Sequence, residues 1–247
     1  MAGTAVSGRL AWRVATLAEI RQETATARTL VLDVPGWPGH LAGQHVDVRL
    51  TAADGYTAQR SYSVAAPTDG DRIELTVQRV LGGEVSEHLT GPYAVGDPVE
   101  VRGPIGGWFV WRPADRAPVL LVAGGSGIVP LMAMVRARRA AGSRALFRLV
   151  YSVRTPADLY YAEELRKPYA GLDVTYVYTR RLPDGDPGIP RRISVATLNT
   201  AGWPADFGAT SYVCGPTGFV ETVADILLAL GHSPHSIRTE RFGPSRD

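Results

Sequence analysis

The 247-residue chain has one cysteine, Cys214, and one lysine, Lys167. A lone cysteine excludes an internal disulfide and any multi-thiolate metal site. It also excludes a cysteine-ligated iron–sulfur cluster held by this sequence, because such clusters need several thiolates. The sequence contains no run of about 18 or more apolar residues and so offers no membrane-spanning helix. The first residues, Met1-Ala2-Gly3-Thr4-Ala5-Val6-Ser7-Gly8, lack the charged-then-apolar layout of a signal peptide, so the expected compartment is the cytoplasm. A formal net charge of +2 is too small for a chain whose main partner is nucleic acid. His40, His45, His88, His232 and His235 show no metal-ligand spacing and read as structural or surface residues, so no metal site is expected.

The remaining composition, 45% hydrophobic and 20% charged, is that of an ordinary globular protein. The length suits one large domain or two of usual size, and the hydrophobic period changes partway along. Residues 10–17, 27–34, 44–50, 59–65, 72–79 and 98–102 read as short strands separated by Pro/Gly/Asp turns, with a brief helix at 85–89. Six such strands suggest a small antiparallel barrel. The polar stretch 112–118 reads as a linker. Beyond it, 119–123 is a continuous apolar run, as in a parallel strand buried on both faces. Helices at 128–141, 157–166, near Val195 and at 218–230 then alternate with strands at 146–153, 173–178, 211–214 and 236–239. That alternation predicts a doubly wound parallel sheet. The expected domains are 1–112 and 117–247.

Several short motifs sit at telling places in this frame. Arg60-Ser61-Tyr62-Ser63 lies on a barrel strand, where alternation sends Arg60 and Tyr62 to one face and Ser61 and Ser63 to the other. In Leu81-Gly82-Gly83-Glu84-Val85-Ser86, two glycines expose backbone N–H groups, and Ser86 sits at the start of a short helix. Gly124-Gly125-Ser126-Gly127-Ile128-Val129-Pro130 follows an apolar strand and opens a helix, the context of a dinucleotide-phosphate loop. Pro130 stands where the common fingerprint has its third glycine, and no Lys-Ser/Thr follows as in a Walker loop. Arg154, Arg180 with Arg181, and Arg191 with Arg192 fall at strand ends or just beyond, the edge where open α/β sheets bind ligands. Converging arginines there suit a 2′-phosphate, favouring NADPH with NADH still possible. Arg136, Arg138, Arg139 and Arg144 read as a solvated helix face, or more weakly as a docking surface for an acidic carrier.

In this order, and with Cys214-Gly215-Pro216 and Glu240-Arg241-Phe242 closing the chain, the motifs resemble those of the ferredoxin–NADP reductase family. The likeness runs from about Trp12 to Phe242. It implies an antiparallel flavin-binding β-barrel followed by a five-stranded nucleotide-binding domain, with FAD as cofactor. It implies that Arg60 pairs with flavin phosphate, Tyr62 packs on the isoalloxazine and Ser63 lies near its N5. Gly82, Gly83 and Ser86 would form a second phosphate segment, and Gly103-Pro104-Ile105-Gly106-Gly107-Trp108-Phe109 would close the barrel. Gly124, Gly125, Ser126 and Gly127 would hold the nicotinamide pyrophosphate, with Ser126 where the family usually has Thr. Cys214, Gly215 and Pro216 would lie against the nicotinamide, Cys214 orienting it, while Glu240 assists proton or charge balance and Phe242 shields the flavin. Here residues 243–247 extend past that aromatic.

The implied reaction is hydride transfer from NADPH to FAD, with electrons leaving singly to a separate carrier. Ferredoxin, flavodoxin, an oxygenase component and a molybdenum oxidoreductase remain open as acceptors. Two other readings stay open: a flavin reductase that releases its product, and a flavin subunit of a larger oxygenase or molybdenum system.

Overall fold

The computed structural model describes residues 10–243. The segment read above for a signal peptide and the residues after Gly243 lie outside them. Strands β1 (Trp12–Thr24), β2 (Ala27–Asp33), β3 (His45–Thr51), β4 (Thr57–Ser63), β5 (Arg72–Gln78) and β6 (Pro98–Ile105) form one antiparallel sheet, ordered β4-β3-β6-β1-β2-β5. Its two edges meet where Val64 bridges Leu75 and the Ala65 N–H donates to the Glu74 carbonyl at 2.8 Å, so the sheet curls into a barrel. Alternation fills the interior: Leu30 and Leu32, Ile73, Leu75 and Val77, and Val99 and Val101 share one buried cluster. Helix α1 (Glu84–Thr90) packs on β3, β4 and β5 and adds Val85 and Leu89 to that cluster.

Strands β7 (Val119–Gly124), β8 (Phe147–Val153), β9 (Leu172–Tyr178), β10 (Thr210–Pro216) and β11 (Ile237–Phe242) form a parallel sheet, ordered β11-β10-β7-β8-β9. Leu121 and Ala123 pack on one face with α2 (Ile128–Ala140) and with Leu165 of α3 (Ala162–Arg166). Leu120 and Val122 pack on the other with Leu198 of α4 (Val195–Ala201) and Val220 and Val223 of α5 (Thr217–Ala229). Burial on both faces explains why β7 is apolar throughout. Strand order reverses at β7, so the C-terminal edge between β7 and β10 is the topological switch point where such sheets bind ligands. No helix among the described residues is long and apolar enough to cross a membrane.

Three expectations change. Strand β1 runs to Thr24, past the expected 17, because its polar far half pairs with β2 while remaining partly exposed. The helix expected at 157–166 is broken. A 3-10 turn at Pro156–Asp158, closed by a Thr155–Asp158 capping box, gives way to extended Leu159 and left-handed Tyr161 before α3 begins. The arginines of α2 are not a solvated face. Arg138 is 3% exposed and donates to the Ala145 and Ala170 carbonyls, while Arg139 pairs with Glu164 at 3.1 Å.

Arg136 joins the two halves. Its Nη1 donates to the Ala65 carbonyl at 2.9 Å and lies 3.3 Å from Glu74, both on the barrel side, while Nη2 reaches Glu164 at 2.7 Å. Burial alone would raise the pKa of Glu164, but the Arg136 and Arg139 guanidiniums hold it below its ordinary value. With Arg136 side-chain exposure at 15%, the group is largely removed from solvent screening. Arg136→Ala removes the cation shared by Glu74 and Glu164, which keep Arg21 and Arg139 as partners, so the loss is that of charge-assisted hydrogen bonds, about 1.5–3 kcal/mol. The urea midpoint should fall accordingly; an unchanged midpoint would show that Arg136 does not hold the halves together.

Candidate functional site

The loop after β7 is shaped by close approach. Gly125 has φ +55°, a left-handed value that glycine adopts without strain. A Cβ on Gly127 would run into the Cys214 carbonyl, and one on Gly124 or Gly215 into the Phe219 ring at 2.8 and 2.7 Å. Small residues therefore let the ends of β7 and β10 close together under Phe219. The loop continues as a 3-10 turn, Gly125–Gly127, into α2, whose first turn has no side-chain cap and no acidic residue. The positive end of the helix dipole is left for an anion.

A cleft of about 240 Å³ opens beside this loop. Gly124, Gly125 and Ser126 form its floor, with Ser152, Val153 and Arg154 from the end of β8 and Thr179 from the end of β9. Asp158 and Tyr160 line it from the broken helix, and Pro216, Phe219 and Phe242 from the β10 and β11 side. The barrel supplies Thr24, Thr26 and Gln78. Six residues singled out from sequence thus meet here: Gly124, Gly125, Ser126, Arg154, Pro216 and Phe242. Arg180 and Arg191 do not line the cleft. They stand next to it, because the Arg180 and Arg181 N–H groups share the Arg154 carbonyl at 2.9 and 3.2 Å and the Arg191 N–H bonds the Tyr178 carbonyl at 2.8 Å. The strand-end rule could have found Ser152 and Thr179. Asp158, Tyr160, Phe219 and the barrel residues carried no local signal.

Cys214 and Glu240 are in-register neighbours on β10 and β11. Two residues before them, Tyr212 and Arg238 on the same face touch the barrel side: Tyr212 Oη and Arg238 Nη1 each donate to the Val110 carbonyl at 2.8 Å. Cys214 is buried with Ala42, Ala65 and Phe109 of the first half, and burial pushes its thiol pKa well up, with Glu240 adding to the shift. A protonated thiol in that setting can pack and orient but is no nucleophile. Glu240 Oε2 is shut off from solvent and has no hydrogen-bond partner, and burial raises the carboxyl from 4.5 to about 7. A half-buried carboxyl with one oxygen unpaired and out of solvent is a candidate functional group.

On the barrel, Arg60 is exposed and Tyr62 is half-buried against the barrel core, where burial lifts its phenol to about 12 while Arg60 opposes the shift. Ser61 donates to Asp47 at 2.6 Å, fixing the register of β4. Ser63 ends β4, opposite His45, two residues before the Ala65 that takes Arg136. The expectation for Ser86 changes. It is 6% exposed, and its hydroxyl accepts the Val80 N–H at 3.1 Å and faces the Gly83 carbonyl, so it shapes the glycine turn from inside. Gly82, at φ +73°, donates its N–H to Glu87 Oε1 at 2.9 Å. A carboxylate thus already stands in for an anion at that turn. An exposed guanidinium at Arg60, whose Nη1 donates to the Gln59 carbonyl at 2.7 Å, a half-buried ring at Tyr62 and a turn at Gly82 whose N–H already takes a carboxylate fit a flavin nucleotide. None of these residues lines the cleft above.

The barrel and the parallel sheet, meeting at the cleft, each match a family model of their own. Residues 14–110 match the Oxidoreductase FAD-binding domain family and residues 121–225 the Oxidoreductase NAD-binding domain family. The chain belongs to the ferredoxin–NADP reductase family. It is 30% identical to the reductase subunit of an aromatic O-demethylase from Amycolatopsis sp., over 94% of this chain and 69% of that one. It is 32% identical to the ferredoxin–NAD(P)(+) reductase component of a naphthalene 1,2-dioxygenase system from Pseudomonas putida, over 75% of this chain and 56% of that one. The FAD/NAD-binding domain of a nitric oxide dioxygenase from Vibrio cholerae superposes with a TM-score of 0.83 at 25% identity, covering 96% of this chain and all of that one. The chain spans 56–60% of the length of the first curated relatives it matches.

The buried Glu240 carboxyl makes a signed prediction. Because the folded state holds its proton more tightly than the unfolded chain, its stabilising contribution is complete below pH 4.5 and is lost as pH rises from 4.5 to about 7. Urea unfolding across that range should show a downward slope that Glu240→Gln reduces. Identical slopes in the two proteins would mean that Glu240 titrates normally.

Proposed function

We propose that the chain is an NAD(P)H-oxidising flavoprotein reductase that retains FAD and passes electrons to a separate one-electron carrier protein, in the cytoplasm. The observation that carries this reading is the cleft between the halves, lined at once by the glycine loop, by Arg154 and by barrel residues. Beside it, Cys214 and Glu240 sit on the sheet face turned to the barrel. The partner class is supported by relatives described as reductase components or subunits of a dioxygenase system and a demethylase.

FAD, when bound, accepts two electrons as a hydride and releases them singly. The chain's own residues bind and orient. Arg60 offers a fork of donors to the flavin phosphate, Tyr62 a flat amphipathic ring, and the Gly82–Gly83 turn a second anion site. Two separate phosphate-type sites suit FAD over FMN. Ser126 and the open start of α2 take the nicotinamide pyrophosphate, and Arg154, with Arg180 and Arg191 nearby, takes a 2′-phosphate. Pro216 and Phe242 bound the nicotinamide end, and packed Cys214 limits its approach. Ser63 and Glu240 would hold a proton for the bound flavin. Orientation of this kind supplies much of the rate in such reactions.

Flavin released by denaturing the purified protein should be FAD, at about one per chain, and Arg60→Ala should retain less; FMN alone would sink the assignment. For the nucleotide, Arg154→Ala should raise KM for NADPH roughly ten- to hundredfold, the effect of losing a charge-assisted contact, with NADH nearly unaffected. Equal losses with both nucleotides would make Arg154 a structural residue and remove the basis for NADPH preference.

A further inference from the structure

Turn Thr24–Thr26, which links β1 to β2, belongs to the barrel and yet lines the cleft through Thr24 and Thr26, as Asp158 and Tyr160 do from the other half. A closed ring of hydrogen bonds crosses between the two halves beside these lining residues. Glu23, at the foot of the turn, accepts the Thr29 hydroxyl on Oε1 at 2.6 Å and the Tyr161 N–H on Oε2 at 2.9 Å. Thr29 and Thr76 hydroxyls lie 2.7 Å apart, and the Thr76 hydroxyl bonds the Tyr161 phenol. The carboxylate sets the direction. Thr29 donates to Glu23, so it accepts from Thr76, which in turn accepts from Tyr161. Each hydroxyl has one proton, and the chain of donors ends on the only group in the ring with no proton to give.

Tyr161 is the one non-glycine among the described residues with positive φ, +56°, a conformation that costs about 1–3 kcal/mol and persists only when its surroundings impose it. Glu23 on its N–H and Thr76 on its phenol are those surroundings, with Arg136 stacked 4.7 Å above its ring. The left-handed turn ends the extended segment that brings Tyr160 into the cleft, where the Tyr160 N–H is also held by the Tyr151 hydroxyl at 3.2 Å.

We infer that Glu23 is a positioning residue for the nicotinamide nucleotide. Through Tyr161 it sets the distance between the barrel turn at Thr24–Thr26 and the Asp158–Tyr160 wall, and so the fit of the nucleotide between them. The inference rests on the functional reading above and adds the barrel to the nucleotide site. Loosening the ring widens the cleft and weakens nucleotide binding without touching the flavin segment at Arg60 and Gly82.

The test is steady-state NADPH oxidation with ferricyanide by flavin-loaded protein, with flavin content and Tm measured alongside. Glu23→Ala should raise KM for NADPH about tenfold, with a much smaller change in kcat and full flavin content, as expected when binding alone is lost. Glu23→Gln should stay close to wild type, because the amide oxygen can still accept the Tyr161 N–H and the hydroxyl chain can run in reverse. Thr76→Val, which cuts the ring on the barrel side while keeping the side-chain shape, should reproduce part of the KM increase. An unchanged KM in folded Glu23→Ala would overturn the inference. So would a Gln variant as impaired as the Ala variant, or kcat and flavin content falling in step with KM. A flavin-loaded wild type with no NADPH turnover would overturn the functional reading and this inference with it. Normal wild-type turnover with an unchanged Glu23→Ala KM overturns this inference alone.

Discussion

Arg136 holds acceptors from both halves of the molecule, the Ala65 carbonyl and Glu74 from the barrel and Glu164 from the α/β half. The proposed nucleotide cleft is lined from both halves, so their relative position is the constraint on which the rest depends. A buried cation serving several acceptors is strong because each contact is a charge-assisted hydrogen bond. It also carries directional information that apolar contact lacks, since the guanidinium fork is planar and its donors are fixed in angle. Around it, Ala27, Ala42, Ala65 and Phe109 of the first half are buried in the same cluster as the α2 core. The polar lock thus sits in a packed interface.

Within that frame, the sheet edge is built by approach distances that admit no side chain. Gly127 rests against the Cys214 carbonyl, and Gly124 and Gly215 meet under Phe219. The same closeness brings a strand end and an uncapped helix start together, where the helix dipole favours a phosphate. One strand over, Glu240 is held beside Cys214, where burial raises its carboxyl from 4.5 to about 7. Acid and anion sites therefore arise from one packing arrangement at the switch point of the sheet.

Much of this was legible in the sequence. Buried on both faces, β7 needed to be continuously apolar, and it was readable for that reason. Barrel strands show period-two burial, and the glycine loop follows its strand directly. What escaped notice depends on contacts between distant residues. The far half of β1 is too polar to read as a strand, yet it pairs along β2 and carries Glu23 to Tyr161. Tyr161 breaks a helix that propensity alone would continue, because a carboxylate 138 positions away takes its N–H. Arg136 and Arg138 looked like surface residues because local sequence does not show that Glu164, Ala145 and Ala170 lie over them. Ser86 was legible as part of a glycine turn, but its orientation into that turn was not.

The account stands on one claim, that a nicotinamide bound at the sheet edge reduces a flavin held by the barrel. Anaerobic titration of the purified yellow protein with NADPH tests it most directly. The account predicts loss of the oxidised flavin absorbance with about one equivalent of NADPH per bound FAD, and its return when ferricyanide is added. Flavin that stays oxidised under excess NADPH and NADH would contradict it.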